Sequence, residues 1–295
     1  SSAKPKRKRW RKLLAFNRPS AIDLHIHSTA SDGTLSPPQL VAMAVELGLG
    51  AIAITDHDSI AGSREALLEG IPDSLGFLTG VEISAEPPPS YPGSGSIHIL
   101  GYGIRLDDPE LNRALEKLQD ARKDRNPLIV ARLNQLGVPI TLKEVEQEAG
   151  QGGQPGRPHI AKVMIRKGIA TDIDDAFDRY LGNGRPAYID KFRIDSAAAI
   201  QLINAAGGTP VLAHPCLLEL ESDDQLDELL REMVSMGLKG LEVHFTDHSA
   251  EQTRCYAELA RRYDLLMTGG TDFHGGTHPG TRMGVGKGGL VVPYA

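Results

Sequence analysis

The chain has 295 residues and a mass of 31.7 kDa, enough to bury a substantial core as one barrel or as one domain with an insert. With 40% hydrophobic and 24% charged residues, and no apolar run near the roughly 18 residues of a membrane span, the composition is that of a globular protein without a transmembrane helix. The net charge of −6 is unevenly spread: residues 1–20 hold eight basic residues and no acid, so this arm carries +8 and the remainder of the chain −14.

The arm, residues 1–20, reads as a solvated, disordered terminus able to touch nucleic acid or another anionic surface. Its apolar run, Leu13 to Phe16, is shorter than the about 7 to 15 residues of a secretory h-region, so export is not expected. Cys216 and Cys255 are too few for a disulfide framework, which makes a reducing cytoplasm the expected location. The 32 glycines and 19 prolines are scattered as punctuation, which excludes collagen-like and low-complexity readings.

From Ala21 onward, short apolar runs recur and end in His, Asp or Glu. They are Ala21 to Ile26, Ala51 to Thr55, Phe77 to Val81, Ile97 to Gly103, Thr209 to Ala213, Leu238 to Phe245 and Leu265 to Thr271, about seven strands in all. Helical patterns lie between several of them, such as Pro37 to Leu47 closed by Gly48 and Ser196 to Ala206 closed by Gly207. Strand then helix, repeated, predicts parallel β/α units. Closed into a barrel, such units bring their C-terminal strand ends to one mouth, the face where these barrels do chemistry. One stretch, about Arg105 to Phe192, departs from the alternation. Leucines 111, 115 and 118, then Ile129, Leu133 and Leu136 beyond the breaker Pro127, then Ile160 to Lys167 and Asp174 to Tyr180, keep helical spacing and predict a small helical subdomain inserted after the fourth strand. The predicted organisation is an arm at 1–20, a barrel over 21–104 and 193–295, and the insert at 105–192.

His25 and His27, two apart on a strand, leave the same face, as two ligands of one metal cluster must. Asp32 follows in a Ser/Asp/Gly turn that can fold back toward them. His57 follows the second strand, Glu82 ends the third, His98 sits in the fourth, His214 follows the fifth, and Asp272 and His274 follow the last. Nine such groups at strand ends are read as metal ligands. Imidazole and carboxylate without thiolate suit Zn, Mn or Fe, and nine donors are too many for one ion, so two or three divalent ions are expected. Close ions activate water and clamp phosphoryl oxygens, which makes phosphoester hydrolysis the natural chemistry. Asp23 and Asp56, beside the ligands, are expected to orient imidazoles, and His278 is read as solvated.

The segments Asp23-Leu24-His25-Ile26-His27-Ser28, Ser31 to Pro37, Ile54 to Asp58, Gly80 to Ser84, His98 to Tyr102, Ala213-His214-Pro215 and Thr271 to His274 resemble, in order and spacing, the motifs of the PHP (polymerase and histidinol phosphatase) phosphoesterase family. The resemblance implies an α/β fold, a distorted (β/α)7 barrel with a helical insertion subdomain, and a trinuclear metal centre held by the nine residues above. In the insert, Gly156 to Ala161 and Ala176 to Tyr188 are similar to family members that act on nucleotides, including nucleoside 3′,5′-bisphosphate phosphatases and a 5′-3′ exonuclease on short RNA. Arg157 can grip phosphate in a bidentate way, and His159 can donate to the same phosphate or protonate a leaving oxygen. Asp32, His159 and Arg157 are the candidate catalytic residues, and Arg157, His159 and Lys191 the candidate substrate contacts. Pairing with a neighbouring acid is the plainer role for Arg157, and Lys191 and Arg193 read equally as solvated. The expected enzyme acts on a nucleotide or short oligonucleotide, with no membrane and no obligate protein partner. The alternatives are the RNA exonuclease, a histidinol-phosphate phosphatase and an inactive binding module; intact ligands argue against the last.

Overall fold

The computed structural model describes residues 21–93, 95–150 and 155–293, so the basic arm predicted for residues 1–20 lies outside the described residues. Within them the elements run β1 (Ile22–Ile26), α1 (Pro37–Leu47), β2 (Ala51–Ile54), α2 (Ala61–Glu69), β3 (Gly76–Glu86), β4 (Ile97–Tyr102), α3 (Pro109–Gln135), α4 (Leu142–Ala149), α5 (Arg157–Arg166), α6 (Ile173–Ala176), β5 (Ile194–Asp195), α7 (Ser196–Ala205), β6 (Thr209–Leu212), α8 (Asp223–Ser235), β7 (Gly240–Phe245), α9 (Ala250–Arg262) and β8 (Leu266–Gly270). All seven expected strands are present. The extra one, β5, has two residues and pairs with the end of β3, too short to carry any alternation.

The strands form one nearly closed sheet in the order β1-β2-β3-β4-β6-β7-β8. At the seam Ile26 bridges Phe273, just beyond β8, and the His27 N–H donates to the Phe273 carbonyl at 2.9 Å. Gly270 permits this approach, because a Cβ there would lie 2.3 Å from the Cβ of His25. Asp23 fastens the same seam: its carboxylate accepts from the Thr271 N–H (2.9 Å), the Thr271 hydroxyl (2.6 Å) and the Gly284 N–H (2.8 Å). Asp23 therefore orients backbone and not an imidazole; its link to His25 is through the main-chain N–H, at 3.4 Å.

The parallel expectation needs one correction. Strand β4 is antiparallel to both neighbours, β3 and β6, while the remaining barrel neighbours are parallel. The reversal follows from the short connection between β3 and β4, which leaves no room for a crossover helix. It also turns the start of β4 toward the mouth where the other strands end. Glu82 does not end β3, which continues to Glu86; it lies mid-strand opposite Leu100.

Between β4 and β5 the described elements are helical. Pro127 breaks nothing: α3 runs through it as one helix. Its first half buries Leu111, Leu115 and Leu118 in the main core with Ile99, Ile203 and Leu230, and its second half buries Ile129 and Leu133 in a separate core with Val145, Ile160 and Met164. Packing of both halves outweighs the local cost of the proline, about 3 kcal/mol. No helix among the described residues is long and apolar enough to cross a membrane.

Replacing Asp23 by Asn keeps the shape but turns an NH2 group toward donors that need an acceptor. The expected outcome is a loss of about 1 to 3 kcal/mol per donor left unsatisfied, read as a lower urea midpoint at unchanged slope. An unchanged midpoint would show that the seam is held elsewhere.

Candidate metal centre

The barrel gathers all nine sequence-predicted residues into one cluster. The rings of His25 and His27 sit side by side with centroids 5.3 Å apart, as their spacing on β1 requires. Asp32 returns to them through a tight turn in which Gly33 packs against the His27 carbonyl, where a Cβ would come within 2.1 Å of the oxygen. Its carboxylate lies 3.2 Å from His274 Nε2 and 3.8 Å from both His27 Nδ1 and His57 Nε2. Asp272 Oδ1 faces His25 Nε2 at 3.3 Å and His27 Nε2 at 3.1 Å. Glu82 is the hub. One oxygen approaches His98 Nδ1 (2.8 Å), His214 Nε2 (3.0 Å) and His25 Nε2 (3.6 Å), and the other His57 Nδ1 (2.8 Å) and His27 Nε2 (3.3 Å). His98 reaches it because β4 runs backwards.

Seven donor atoms here are buried without any hydrogen-bond partner: His25 Nε2, His27 Nε2, Asp32 Oδ1, His57 Nδ1, Glu82 Oε2, His214 Nδ1 and Asp272 Oδ1. Orphaned polar atoms are costly, and all of these residues but His214 share common points with their neighbours. Three sets have ligand atoms close enough to hold an ion: His27, Asp32, His57 and His274; His25, His27, Glu82 and Asp272; His57, Glu82 and His98. The residues present thus fit divalent metals. His214 falls outside the three sets and stands beside Glu82. Strain concentrates in the same place, since Asp58, His214 and Asp272 all take positive φ (51°, 24° and 54°).

Burial pushes the Glu82 carboxyl up, but His57, His98, His25 and His214 outweigh it and hold it well below the usual carboxylate range. Burial likewise pulls His25 down, and Glu242, Asp272 and Glu82 reverse this to hold it well above its ordinary value. Glu242 is the residue whose partner the sequence does not supply. Fully buried on β7, it stands 3.0 Å from His25 Nδ1 and accepts the His214 N–H at 2.7 Å, fixing both ligands from behind. Asp56 departs from expectation: it accepts from the Ser28 N–H, the Ser28 hydroxyl and the Ser31 hydroxyl (2.8, 2.7 and 2.6 Å), so it shapes the turn that carries Asp32. His278 is not free in solvent but half-buried, its ring edge-on to His274 at 5.2 Å.

Next to Asp32, His57 and His98 opens a cavity of about 210 Å³ lined by Arg122, Arg125, Arg157, Lys191 and Arg193. The Lys191 and Arg193 side chains are buried, not solvated. Arg157 pairs with no acid among the described residues; it donates to the Leu181 carbonyl at 3.0 Å and lies 5.3 and 5.6 Å from the ring centres of Phe177 and Tyr188. Arg125, which sequence reasoning missed, is 4% exposed and its Nε has no partner. Burial, then the charges of Arg157 and Arg122, disfavour its cation. His159 is buried at the start of α5, where its Nδ1 accepts the Gly156 N–H at 3.1 Å, leaving Nε2 as the protonated nitrogen.

The PHP domain pattern matches residues 23–178. The chain is 36% identical to the 5′-3′ exoribonuclease Rnm of Escherichia coli over 85% of its own length and 84% of the relative's. It is 29% identical to a 3′,5′-nucleoside bisphosphate phosphatase of Chromobacterium violaceum over 89% and 90%. Among solved structures, a protein of Bifidobacterium adolescentis assigned as a metal-dependent phosphoesterase superposes with a TM-score of 0.81 and 33% identity, covering 93% of each chain.

Because neighbouring carboxylates shift His25, His27, His57 and His214 toward the protonated form, metal uptake should displace protons. Titrating Mn²⁺ or Zn²⁺ into weakly buffered protein is expected to release protons with the heat of binding. Glu82→Gln should lower both, with the fold retained by circular dichroism. Equal heats for the two proteins would remove Glu82 from the centre.

Proposed function

The chain belongs to the PHP domain family, and from that premise we propose that it hydrolyses phosphate monoesters of nucleotides, nucleoside 3′,5′-bisphosphates above all. One observation carries the substrate: a buried cationic pocket opens directly beside the metal-ligand cluster. A substrate with two phosphates fills both places, one at the cluster and one among the guanidiniums. The bisphosphate phosphatase of C. violaceum, by its name, agrees with this reading.

In this proposal His25, His27, Asp32, His57, Glu82, His98, His214, Asp272 and His274 hold two or three divalent ions, Mn, Zn or Fe. Bound ions of this kind polarise phosphoryl oxygens and lower the pKa of an attacking water. Glu242 and Asp56 keep His25 and the Asp32 turn in place. Arg157 and Arg125 grip the phosphate that is not cleaved, with bidentate geometry that fixes its distance from the cluster. Lys191 adds a third charge. His159, with its proton on Nε2 and Asp32 near enough to act on it electrostatically, donates to a phosphoryl or leaving oxygen. The free cysteines suit the reducing cytoplasm proposed as its setting.

The second reading, 5′-3′ hydrolysis of short RNA, follows the name of the E. coli relative. An oligonucleotide that lodges its terminal phosphate in the cationic pocket must leave the centre elsewhere. The larger cleft beside Asp272, about 640 Å³, is lined by Asp172 and Asp174 and by Asp247 paired with Lys287; its carboxylates outnumber that one cation, which disfavours a continuing phosphate backbone. That opposition places the bisphosphate first.

Phosphate release from 3′,5′-bisphosphates, monophosphates and trinucleotides with Mn²⁺, before and after chelation, tests the reading. A bisphosphate preference abolished by chelator is expected, and a trinucleotide preference would promote the exonuclease. Arg157→Ala should cost roughly 1.5 to 3 kcal/mol in kcat/KM on the bisphosphate; unchanged kinetics with a lower Tm would return Arg157 to a structural role. Burial pushes the Lys191 ammonium down to about 8, although the Asp58 carboxylate pulls it back up, with Arg122 and Arg125 adding to the fall. Since only the charged form binds phosphate, kcat/KM on the bisphosphate should decline as pH rises through about 8, and Lys191→Met should remove that decline.

A further inference from the structure

Behind two cations that line the pocket, Arg122 and Lys191, stands one buried carboxylate that belongs to neither the metal cluster nor the phosphate grip. Asp58 is fully buried. Its Oδ2 takes Arg122 through Nε (3.1 Å) and Nη2 (2.8 Å) and Lys191 through Nζ (3.3 Å), while Oδ1 accepts the Ser84 N–H at 3.0 Å. Its main chain is held as firmly: its N–H donates to the Glu82 carbonyl at 2.9 Å and its carbonyl accepts from the Gln119 side chain at 2.9 Å. Asp58 thereby joins three parts of the protein. Glu82 belongs to the metal cluster, Arg122 and Gln119 to α3, and Lys191 to the segment leading into β5.

Charge bookkeeping around it is specific. Arg122 and Lys191 share Asp58, Arg193 pairs with Glu86 (3.4 Å) and Asp190 (2.7 Å), and Arg125 and Arg157 form no ion pair among the described residues. With Asp32 counted to the metal cluster, the five cations against Asp58, Glu86 and Asp190 leave +2. A terminal phosphate monoester carries about −1.5 to −2 at pH 7, and an internal diester only about −1. The residual charge therefore matches one terminal phosphate.

We infer that Asp58 is a positioning and specificity-determining residue of this pocket, fixing Arg122 and Lys191 relative to Glu82 and setting the pocket's charge to accept one phosphate dianion. The inference rests on the bisphosphate reading above. It assigns Asp58 two opposed effects on binding and turnover. Its negative charge, next to the bound phosphate, weakens anion affinity, and its hold on the cations aligns the substrate for reaction. Removing the charge should tighten binding and slow turnover together. Loss of a merely structural contact does neither of these selectively, because it loosens the pocket and raises KM.

Asp58→Asn tests this with little change of shape, since Asn tolerates the positive φ of 51°. Kinetics are measured with Mn²⁺ on a nucleoside 3′,5′-bisphosphate and on p-nitrophenyl phosphate, which lacks a second phosphate. For the bisphosphate, KM should fall at least threefold and kcat at least tenfold, and the KM change on the aryl ester should be smaller than on the bisphosphate. A bisphosphate KM that is unchanged or raised, or equal KM changes on both substrates, overturns the inference. Should that variant fail to fold, Arg122→Gln removes one held cation from the other side: a tenfold higher KM confined to the bisphosphate is expected, and equal effects on both substrates overturn the proposal. Failure of the underlying reading shows separately, as wild-type protein with no preference for bisphosphate over monophosphate.

Discussion

Everything at the barrel mouth is arranged around one carboxylate that five imidazoles surround. Alone, a buried glutamate would take up a proton; among His25, His27, His57, His98 and His214 it stays ionised. The arrangement is mutual, since the same carboxylate favours the charged form of His25, His57 and His214 against the effect of burial. Such a cluster is poor as a core. Its buried donors lack hydrogen-bond partners and several backbones are strained, a state that persists because the surrounding sheet fixes every strand end. Divalent cations would resolve the frustration, so the donor set fits a metal centre better than a salt-bridge network.

The sheet achieves this with a single departure from regular β/α order. Reversing β4 presents His98, near the strand's start, at the mouth that the parallel strands reach with their C-terminal halves. The closing seam between β1 and β8 places His25 against Gly270 and within reach of Glu242 on β7, so ligand geometry and barrel closure are one problem with one solution. The helical segment then roofs the mouth from one side, delivering arginines from α3 and α5 to a cavity whose floor is the ligand cluster.

How much of this the sequence discloses depends on distance along the chain. His25, His27 and Asp32 declare themselves because their relation is local, set by strand alternation and a turn. His57, Glu82, His214, Asp272 and His274 show because they close or follow apolar runs, whereas His98 sits inside one and shows only as a member of the set. Glu242 is hidden by its separation of 217 positions from His25: its neighbours Leu241 and Val243 read as an ordinary buried strand, and only closure of the barrel supplies its partner. Arg122 and Arg125 are hidden differently, since on a charged helix they look like any solvated face; what distinguishes them is the barrel beneath. Asp23 and Asp56 were legible as important and misjudged in role, because adjacency to a histidine in sequence says nothing about which donor a carboxylate meets. Pro127 misled for the opposite reason, a strong local rule overridden by packing on two cores.

The pairing of Ile99 with Leu212 joins strands separated by more than a hundred residues of chain. Drawing those ends together as an open coil is entropically expensive and slow, because non-local pairing follows loop closure. The intervening helices carry their own buried cluster, and α3 is anchored to the barrel core at one end and to that cluster at the other. Collapse of this local unit shortens the effective tether before the barrel seals. A folding order from the roof inward would follow, with the floor of the mouth, whose side chains come from both sides of that tether, completed late.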